Sequence, residues 1–157
     1  MTKEALLQRI ITTLAADLAV LSTAARAAHQ GATHEECIPD NKYDTTALEA
    51  SYIAQGQANR AQEIRGALES YRTLALRAFD DDAPIRLTAL VTLEDDDGNR
   101  RRLFLGPEAG GLKIADGSDE IVVITPQSPL GRGLIGKAEG DQVENGAGKT
   151  LTIVAVC

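Results

Sequence analysis

The residues best suited to chemistry gather between positions 29 and 44: His29, His34, Cys37, Glu35, Glu36, Asp40 and Asp44, with Lys42 the only cation opposing the four acids. His34 and Cys37 are of zinc-ligand type and lie three apart, but no Cys-x-x-Cys pair accompanies them. We therefore expect no metal site and a free thiol at Cys37. Taken alone, four clustered carboxylates only solvate a loop. Elsewhere no catalytic set assembles. Two histidines cannot support a Ser/His/Asp arrangement. Gly131-Arg132-Gly133 lacks the third glycine and the βαβ unit of a dinucleotide site. The run Asn145–Thr150 ends in Gly-Lys-Thr, but Val143 stands where a phosphate loop needs its first glycine, so we read a hairpin turn. Arg100-Arg101-Arg102 faces Glu94-Asp95-Asp96-Asp97 in sequence, which predicts surface ion pairs.

Two helical patterns flank the acids. Leu7, Leu14, Leu21 and Ala28 repeat every seven residues, with Ile11, Leu18 and Ala25 four later. Ala50, Ala54, Gln57, Ala61, Ile64, Leu68, Tyr71 and Ala75 follow the same alternation. Both are coiled-coil seams. Pro39 breaks the helix between them and disfavours it at Ile38. Thr46 with Glu49 has the spacing of a capping box. Matching seams around one break predict an antiparallel hairpin, a stalk about 40 Å long for about 27 residues at 1.5 Å rise. A dimerising coiled coil is the alternative.

Past the acidic run Asp80-Asp81-Asp82 and Pro84, glycine becomes frequent and Val, Ile and Thr dominate. Ile85, Leu87, Ala89, Val91 and Leu93 alternate with polar residues as in a half-buried strand. Asp97-Gly98-Asn99 suits a hairpin turn. Strands are expected at 102–105, 112–114, 121–124 and 151–156. Ser128 and Pro129 suit the N-cap and first position of a short helix over 128–135. The expected class is α+β: a helical hairpin over 1–79 with its acidic tip near 31–45, then an antiparallel sheet domain with one short helix over 80–157.

The 157 residues suffice for one domain or two small ones, and the composition is globular. A net charge of −7 argues against a whole-surface nucleic-acid binder, which needs the opposite sign, so we expect no direct sequence-specific nucleic-acid binding. Two cysteines exclude a disulfide framework. The stretch 18–27 faintly resembles a signal cleavage region, but Asp17 and Arg26 interrupt it. We expect a cytoplasmic monomer with no membrane association.

Thr125–Asp141 carries Ser128-Pro129-Leu130, Leu134, Gly136 and Gly140-Asp141 at the spacing of Ser-Pro-Leu/Ile-x-x-x-Leu-x-Gly-x-x-x-Gly-Asp. That run resembles the signature of the Gre family of bacterial transcript-cleavage factors. Such factors join an N-terminal antiparallel coiled coil to an FKBP-like domain, the order read above, so the resemblance covers nearly the whole chain. It implies a transcription elongation factor, not itself an enzyme, whose partner is RNA polymerase. The globular domain would dock at the rim of the polymerase secondary channel, with Ser128, Pro129 and Leu130 as the partner-binding residues. The tip acids Asp40, Asp44, Glu35 and Glu36 would reach the polymerase active centre and help position a second metal and a water. The resemblance implies no intrinsic cofactor, only magnesium shared with that centre, which suits carboxylate ligands and two-metal cleavage. Asp40 matches the first acid of the family tip, Gly-Asp-x-x-Glu-Asn-Ala-x-Tyr. Tyr43 stands where the second is expected, and an acid follows one later at Asp44. The offset turns a helical side chain by about 100° and leaves open a non-cleaving, inhibitory regulator of the same channel. A coiled-coil interaction module unrelated to polymerase is the further alternative. A prolyl-isomerase pocket needs aromatics, and Phe104 is the only one placed on an expected sheet strand.

Overall fold

The computed structural model describes residues 1–33 and 46–157, without the side chains at 25, 28–33, 46, 47 and 50. Two long helices come first, α1 (Lys3–Thr33) and α2 (Thr46–Arg72). Six strands and a short helix follow: β1 (Leu90–Glu94), β2 (Arg100–Leu105), β3 (Lys113–Asp116), β4 (Asp119–Ile124), α3 (Pro129–Leu134), β5 (Gln142–Glu144) and β6 (Thr150–Val156). The class is α+β, as the patterning predicts. The chain forms two compact units, one of Met1–Ile10 with Ser70–Cys157, the other Ile11–Glu69.

In the helical unit α2 follows its heptad pattern. Ala54, Ala61, Ile64 and Leu68 are buried, joined by Ala67, while Gln57 is half-buried. Among the described side chains of α1 in this unit Leu14 is buried, with Ile11, Leu18 and Leu21 half-buried. Alternating 3- and 4-residue steps keep one stripe of a 3.6-residue helix on the same side, so burial recurs at these positions. Ala75 drops out of the expected seam because α2 ends at Arg72, and its side chain is exposed.

The first turns of α1 and the last of α2 belong to the sheet unit, where Leu6, Ile10 and Tyr71 are fully buried. Leu6 and Ile10 lie beside the heptad positions Leu7 and Ile11, not on them. Polar groups fasten these helix ends. The Tyr71 hydroxyl donates to the Glu108 carbonyl at 2.6 Å, and the Arg9 guanidinium donates to the Ala115 carbonyl. Gly106 makes room for the tyrosine: a Cβ there would lie 2.0 Å from its hydroxyl oxygen. Burial pushes the Tyr71 hydroxyl far above the ordinary tyrosine range. Lys3–Ala24 has the length and mean hydropathy, 1.4, of a membrane-crossing helix. Yet Leu6, Ile10 and Leu14 are buried inside the protein and Lys3 and Arg9 donate to backbone carbonyls of the sheet unit.

The sheet order is β3-β4-β2-β1-β6-β5. It is mixed, which corrects the expected antiparallel sheet: β2 and β4 run parallel, with Leu103 beside Val122 and Leu105 beside Ile124. The chain leaves β2, skips one position to lay down β3 at the edge, and returns as β4 in the gap. Residue patterning predicts that a strand exists but not which neighbour it skips. β5 is the strand the patterning missed; with three residues it is too short to show alternation. One sheet face carries the core, where Val91, Leu93, Leu103, Leu105, Leu151 and Ile153 pack with Leu134 of α3. On the opposite face Leu90, Phe104, Ile114, Ile121 and Val123 are also buried. They complete a second layer of burial in the unit that holds Leu6, Ile10 and Tyr71.

The first strand begins later than the alternation from Ile85 suggests. Thr88 interrupts it with a φ of 77°, a left-handed conformation that a β-branched residue rarely adopts. Its groups are all engaged. The N–H donates to the Leu105 carbonyl at 2.8 Å, the hydroxyl oxygen accepts from the Arg77 N–H at 3.0 Å, and the carbonyl accepts from the Lys3 ammonium at 3.0 Å. Lys3 also donates to the Arg77 carbonyl and lies 4.8 Å from the centre of the Phe79 ring. Burial lowers its pKa, and the charges of Cys157 and Glu4 oppose that shift without cancelling it.

Candidate docking site

The tip acids Glu35, Glu36, Asp40 and Asp44, together with His34 and Cys37, lie outside the described residues. The described candidates are Ser128, Pro129 and Leu130, which open α3. Ser128 is the N-cap. Its hydroxyl oxygen accepts from the Gly131 N–H at 3.1 Å and donates to the Thr125 carbonyl at 2.7 Å. Pro129 fills the first helical turn, where its missing N–H leaves nothing unsatisfied. Gly131 is obligatory for a different reason: a Cβ there would meet the Thr125 carbonyl oxygen at 2.0 Å. The capped turn thus lies flat on the strand end that precedes it.

The rest of the motif is held with equal economy. Leu134 is fully buried in the core. Gly136 (φ 86°) and Gly140 (φ 92°) take conformations that side chains disfavour. Between them, Ile85 donates to Lys137 at 2.7 Å and accepts from Gly136 at 2.9 Å. The Asp141 carboxylate accepts from the Ala138 N–H at 2.9 Å and closes the turn. Gly140 and Asp141 then pair with Ile153 of β6. Among the fixed positions of the motif, Pro129 and Leu130 have the lightest structural duties, one at the first helical position and the other packed on the core. Pro129 is exposed, and Leu130 is only half-buried against the core.

Leu130 borders a shallow depression of about 750 Å³ on the α3 side of the sheet. Its floor is Leu103, Val122 and Ile124; Arg101, Lys113 and Glu120 stand at its rim. Strand register puts these on one face. Leu103 adjoins Val122, Lys113 pairs with Val122, and Arg101 pairs with Leu93 of the α3-side core. The neighbouring arginines, Arg100 and Arg102, also line the depression and are engaged. Arg100 holds Glu94 at 2.7 Å and Arg102 holds Asp116 at 2.5 Å. The Arg102 hydrogen bond keeps the Asp116 carboxyl below the usual carboxylate range. Lys113 reaches Glu120 at 3.7 Å. Among the described residues Arg101 has no ion-pair partner, so the expected pairing of the arginine run with Glu94–Asp97 holds for Arg100 alone. Asp95 is occupied by its own loop, accepting from the N–H groups of Asp97 and Asn99.

Sequence reasoning missed this depression. Its signal was available in outline, because Arg101 and Leu103 share a strand face by period two. The register that adds Val122 and Lys113 was not. An isomerase-type aromatic pocket is not what the depression offers: none of its lining residues is aromatic.

No family model matches the sequence, and no curated protein matches it. Among solved structures the chain is similar to GreA factor homolog 1 (Gfh1) of Thermus thermophilus, at 22% identity over 94% of each chain with a TM-score of 0.39. A second structure of the transcription factor Gfh1 is 23% identical over 93% of this chain and 92% of the other, TM-score 0.37. Gfh1 of Thermus aquaticus is 20% identical over 92% of each chain, TM-score 0.37.

Proposed function

We propose that the protein is a Gre-type transcription elongation factor that acts on bacterial RNA polymerase and has no active site of its own. The sheet domain, FKBP-like in this reading, is the anchor. The helices form an antiparallel coiled-coil hairpin that enters the secondary channel as a monomer, and the tip acids, Asp40 and Asp44 foremost, act at the polymerase's own magnesium centre. The protein works in the cytoplasm, where that enzyme is.

The observation that carries the reading is the division of labour within the Thr125–Asp141 motif. Ser128, Gly131, Leu134, Gly136, Gly140 and Asp141 are consumed in building a rigid turn-helix-turn. Pro129 is left exposed, and Leu130, half-buried on the core, borders an open depression of mixed apolar and charged lining. A pair presented this way on a stiff support suits docking. Support for the coiled coil comes from the heptad burial along α2.

Replacing the half-buried Leu130 and exposed Pro129 together by Asp is expected to abolish retention by purified RNA polymerase. The circular-dichroism melt should shift by only a few degrees. Wild-type protein that is not retained at all, or a double variant retained equally, overturns the proposal. The Tyr43–Asp44 offset favours a second outcome within the same reading, in which the tip occupies the channel and inhibits without completing a cleavage site.

A further inference from the structure

Two hairpins of the sheet unit are built to one plan. In the loop between β1 and β2, the Asp95 N–H donates to the Asn99 carbonyl at 3.0 Å and the Gly98 N–H to the Asp95 carbonyl at 3.1 Å. In the loop between β5 and β6, the Asn145 N–H donates to the Lys149 carbonyl at 2.9 Å and the Gly148 N–H to the Asn145 carbonyl at 3.1 Å. Gly98 and Gly148 each close their loop with a φ of 80°. Both loops fold their first side chain back over the turn. Asp95 Oδ1 accepts from the N–H groups of Asp97 at 3.0 Å and Asn99 at 2.9 Å. Asn145 Oδ1 accepts from those of Ala147 at 2.9 Å and Lys149 at 3.0 Å.

The two cradles hold different groups. A pair of N–H donors aimed at one oxygen favours negative charge on it. At Asp95 the charge is already present, and the Asn99 N–H chiefly holds its carboxyl below the usual carboxylate range. At Asn145 the same pair of donors polarises a neutral carboxamide and leaves its Cγ electron-poor. Only the oxygen can occupy that cradle, because two N–H groups need an acceptor and the carboxamide nitrogen is a donor. Gly146 follows, exposed, with no Cβ to screen its nitrogen. Among the described residues neither the Gly146 N–H nor the Asn145 Nδ2 has an acceptor. A backbone nitrogen, an activated carbon and an unheld leaving group thus adjoin in one loop, at the single Asn-Gly pair of the sequence.

We infer that Asn145 is a site of spontaneous deamidation, with the Ala147 and Lys149 N–H groups serving as the oxyanion hole. The Gly146 nitrogen loses its proton to water or hydroxide and bonds to Cγ of Asn145. Negative charge develops on Oδ1, where the two donors already point. The Cγ–Nδ2 bond then breaks, and ammonia leaves with a proton taken from water. Water opens the resulting succinimide. Attack at Cγ leaves an ordinary peptide with aspartate at position 145. Attack at the backbone carbonyl leaves an isoaspartyl link with an extra main-chain carbon. The aspartate product meets the kind of cradle that Asp95 already uses, beside Lys149, whose charge also helps to depress the Asp95 carboxyl. The isoaspartyl product lengthens the loop that sets Glu144 against Thr150, and so loosens β5 at the sheet edge.

The test incubates the full chain at mildly alkaline pH, folded or unfolded in guanidinium, and follows the peptide carrying Asn145 by chromatography and mass spectrometry. The folded wild type should gain the mass of an amide turned to an acid, in two products of different retention, aspartyl and isoaspartyl. Conversion should be no slower folded than unfolded, since unfolding dissolves the cradle. Gly146→Ala should slow it about tenfold by screening the nitrogen, and should melt as the wild type does, because a Cβ at Gly146 meets nothing within 4 Å. Asn145→Asp should also melt within a degree or two of the wild type. A folded chain that keeps its amide while the unfolded chain loses it overturns the inference, since the two N–H groups would then pin the carboxamide and not activate it. Gly146→Ala converting as fast as the wild type overturns it too, as does Asn145→Asp melting several degrees lower. Polymerase takes no part in the test, so its outcome bears on this site alone.

Discussion

The sheet unit and the helical unit bury different things. In the sheet unit Phe104, Leu93, Leu105, Ile121 and Ile153 are fully enclosed, and Tyr71, Lys3 and Arg9 tie the helix ends to backbone carbonyls. Among the described residues of the helical unit, half of the buried apolar side chains are alanines: Ala54, Ala61 and Ala67 beside Leu14, Ile64 and Leu68. Hydrophobic stabilisation scales with apolar area removed from water. Helices that meet through alanine approach closely but gain little per residue. The sheet unit therefore has the larger hydrophobic core, and the helical unit gains less from each buried side chain.

The comparison is broken most severely at Phe104. Phe104→Ala should cost about 3–5 kcal/mol, the usual range for emptying an aromatic core site. Chemical denaturation should show the whole sheet transition moving. A loss under about 1 kcal/mol would mean the second sheet face is not a packed layer. Next in size is Leu14→Asp, which sets a charge in an aliphatic stripe and should cost about 2 kcal/mol or more. Helical ellipticity should fall while amide protection in β1 and β2 persists, because residue 14 lies beyond the Met1–Ile10 segment grouped with the sheet. Sedimentation of the wild type as an obligate dimer would show instead that the buried stripes meet between copies.

A sharper probe of the sheet unit is Tyr71→Phe, which keeps the ring and removes the hydrogen bond to Glu108. It should cost about 1 kcal/mol, and the loss should appear in the sheet transition, although Tyr71 belongs to a helix. The smallest effect concerns acid. Asp116, held down chiefly by the Arg102 hydrogen bond, and Asp95, held down chiefly by the Asn99 N–H, both have depressed pKa values. A depressed carboxyl contributes stability that is fully present above its unfolded pKa, near 4, and is lost as pH falls through its folded value. Asp116→Asn should flatten that loss below about pH 4 and leave neutral-pH melting within a degree or two of the variant lacking Arg102. A pH profile identical to the wild type would remove the Arg102–Asp116 pair from the account.

Much of this arrangement was legible in the residues, for reasons that differ by element. The α3 cap was readable because capping depends on adjacent residues: Ser128 and Pro129 carry it in their own chemistry. The α2 stripe was readable because a 27-residue helix repeats its period often enough to stand out. Leu6 and Ile10 were not recovered, because the heptad frame is local and cannot register that the first turns of α1 are buried with a sheet eighty residues on. Thr88 hid a break inside a well-formed alternation, since the threonine's left-handed backbone is imposed by Arg77, Leu105 and Lys3, none of them neighbours in sequence. The parallel β2–β4 pair and the depression share that cause, for both depend on which strand lies beside which. The acids of the tip were legible as a cluster and as a match at Asp40, while their geometry belongs to residues outside those described.

The most direct measurement is transcript cleavage by stalled, backtracked elongation complexes with and without the protein, alongside the double variant Asp40→Ala, Asp44→Ala. The wild type should change the cleavage rate, upward if the tip supplies two oxygens to the polymerase's metal centre and downward if it only fills the channel. The double variant should bind polymerase within about threefold of the wild type, a difference under about 0.7 kcal/mol, yet leave cleavage at the rate seen without any factor. A double variant that alters cleavage just as the wild type does would contradict the account, since the acids would then be no more than a solvated loop.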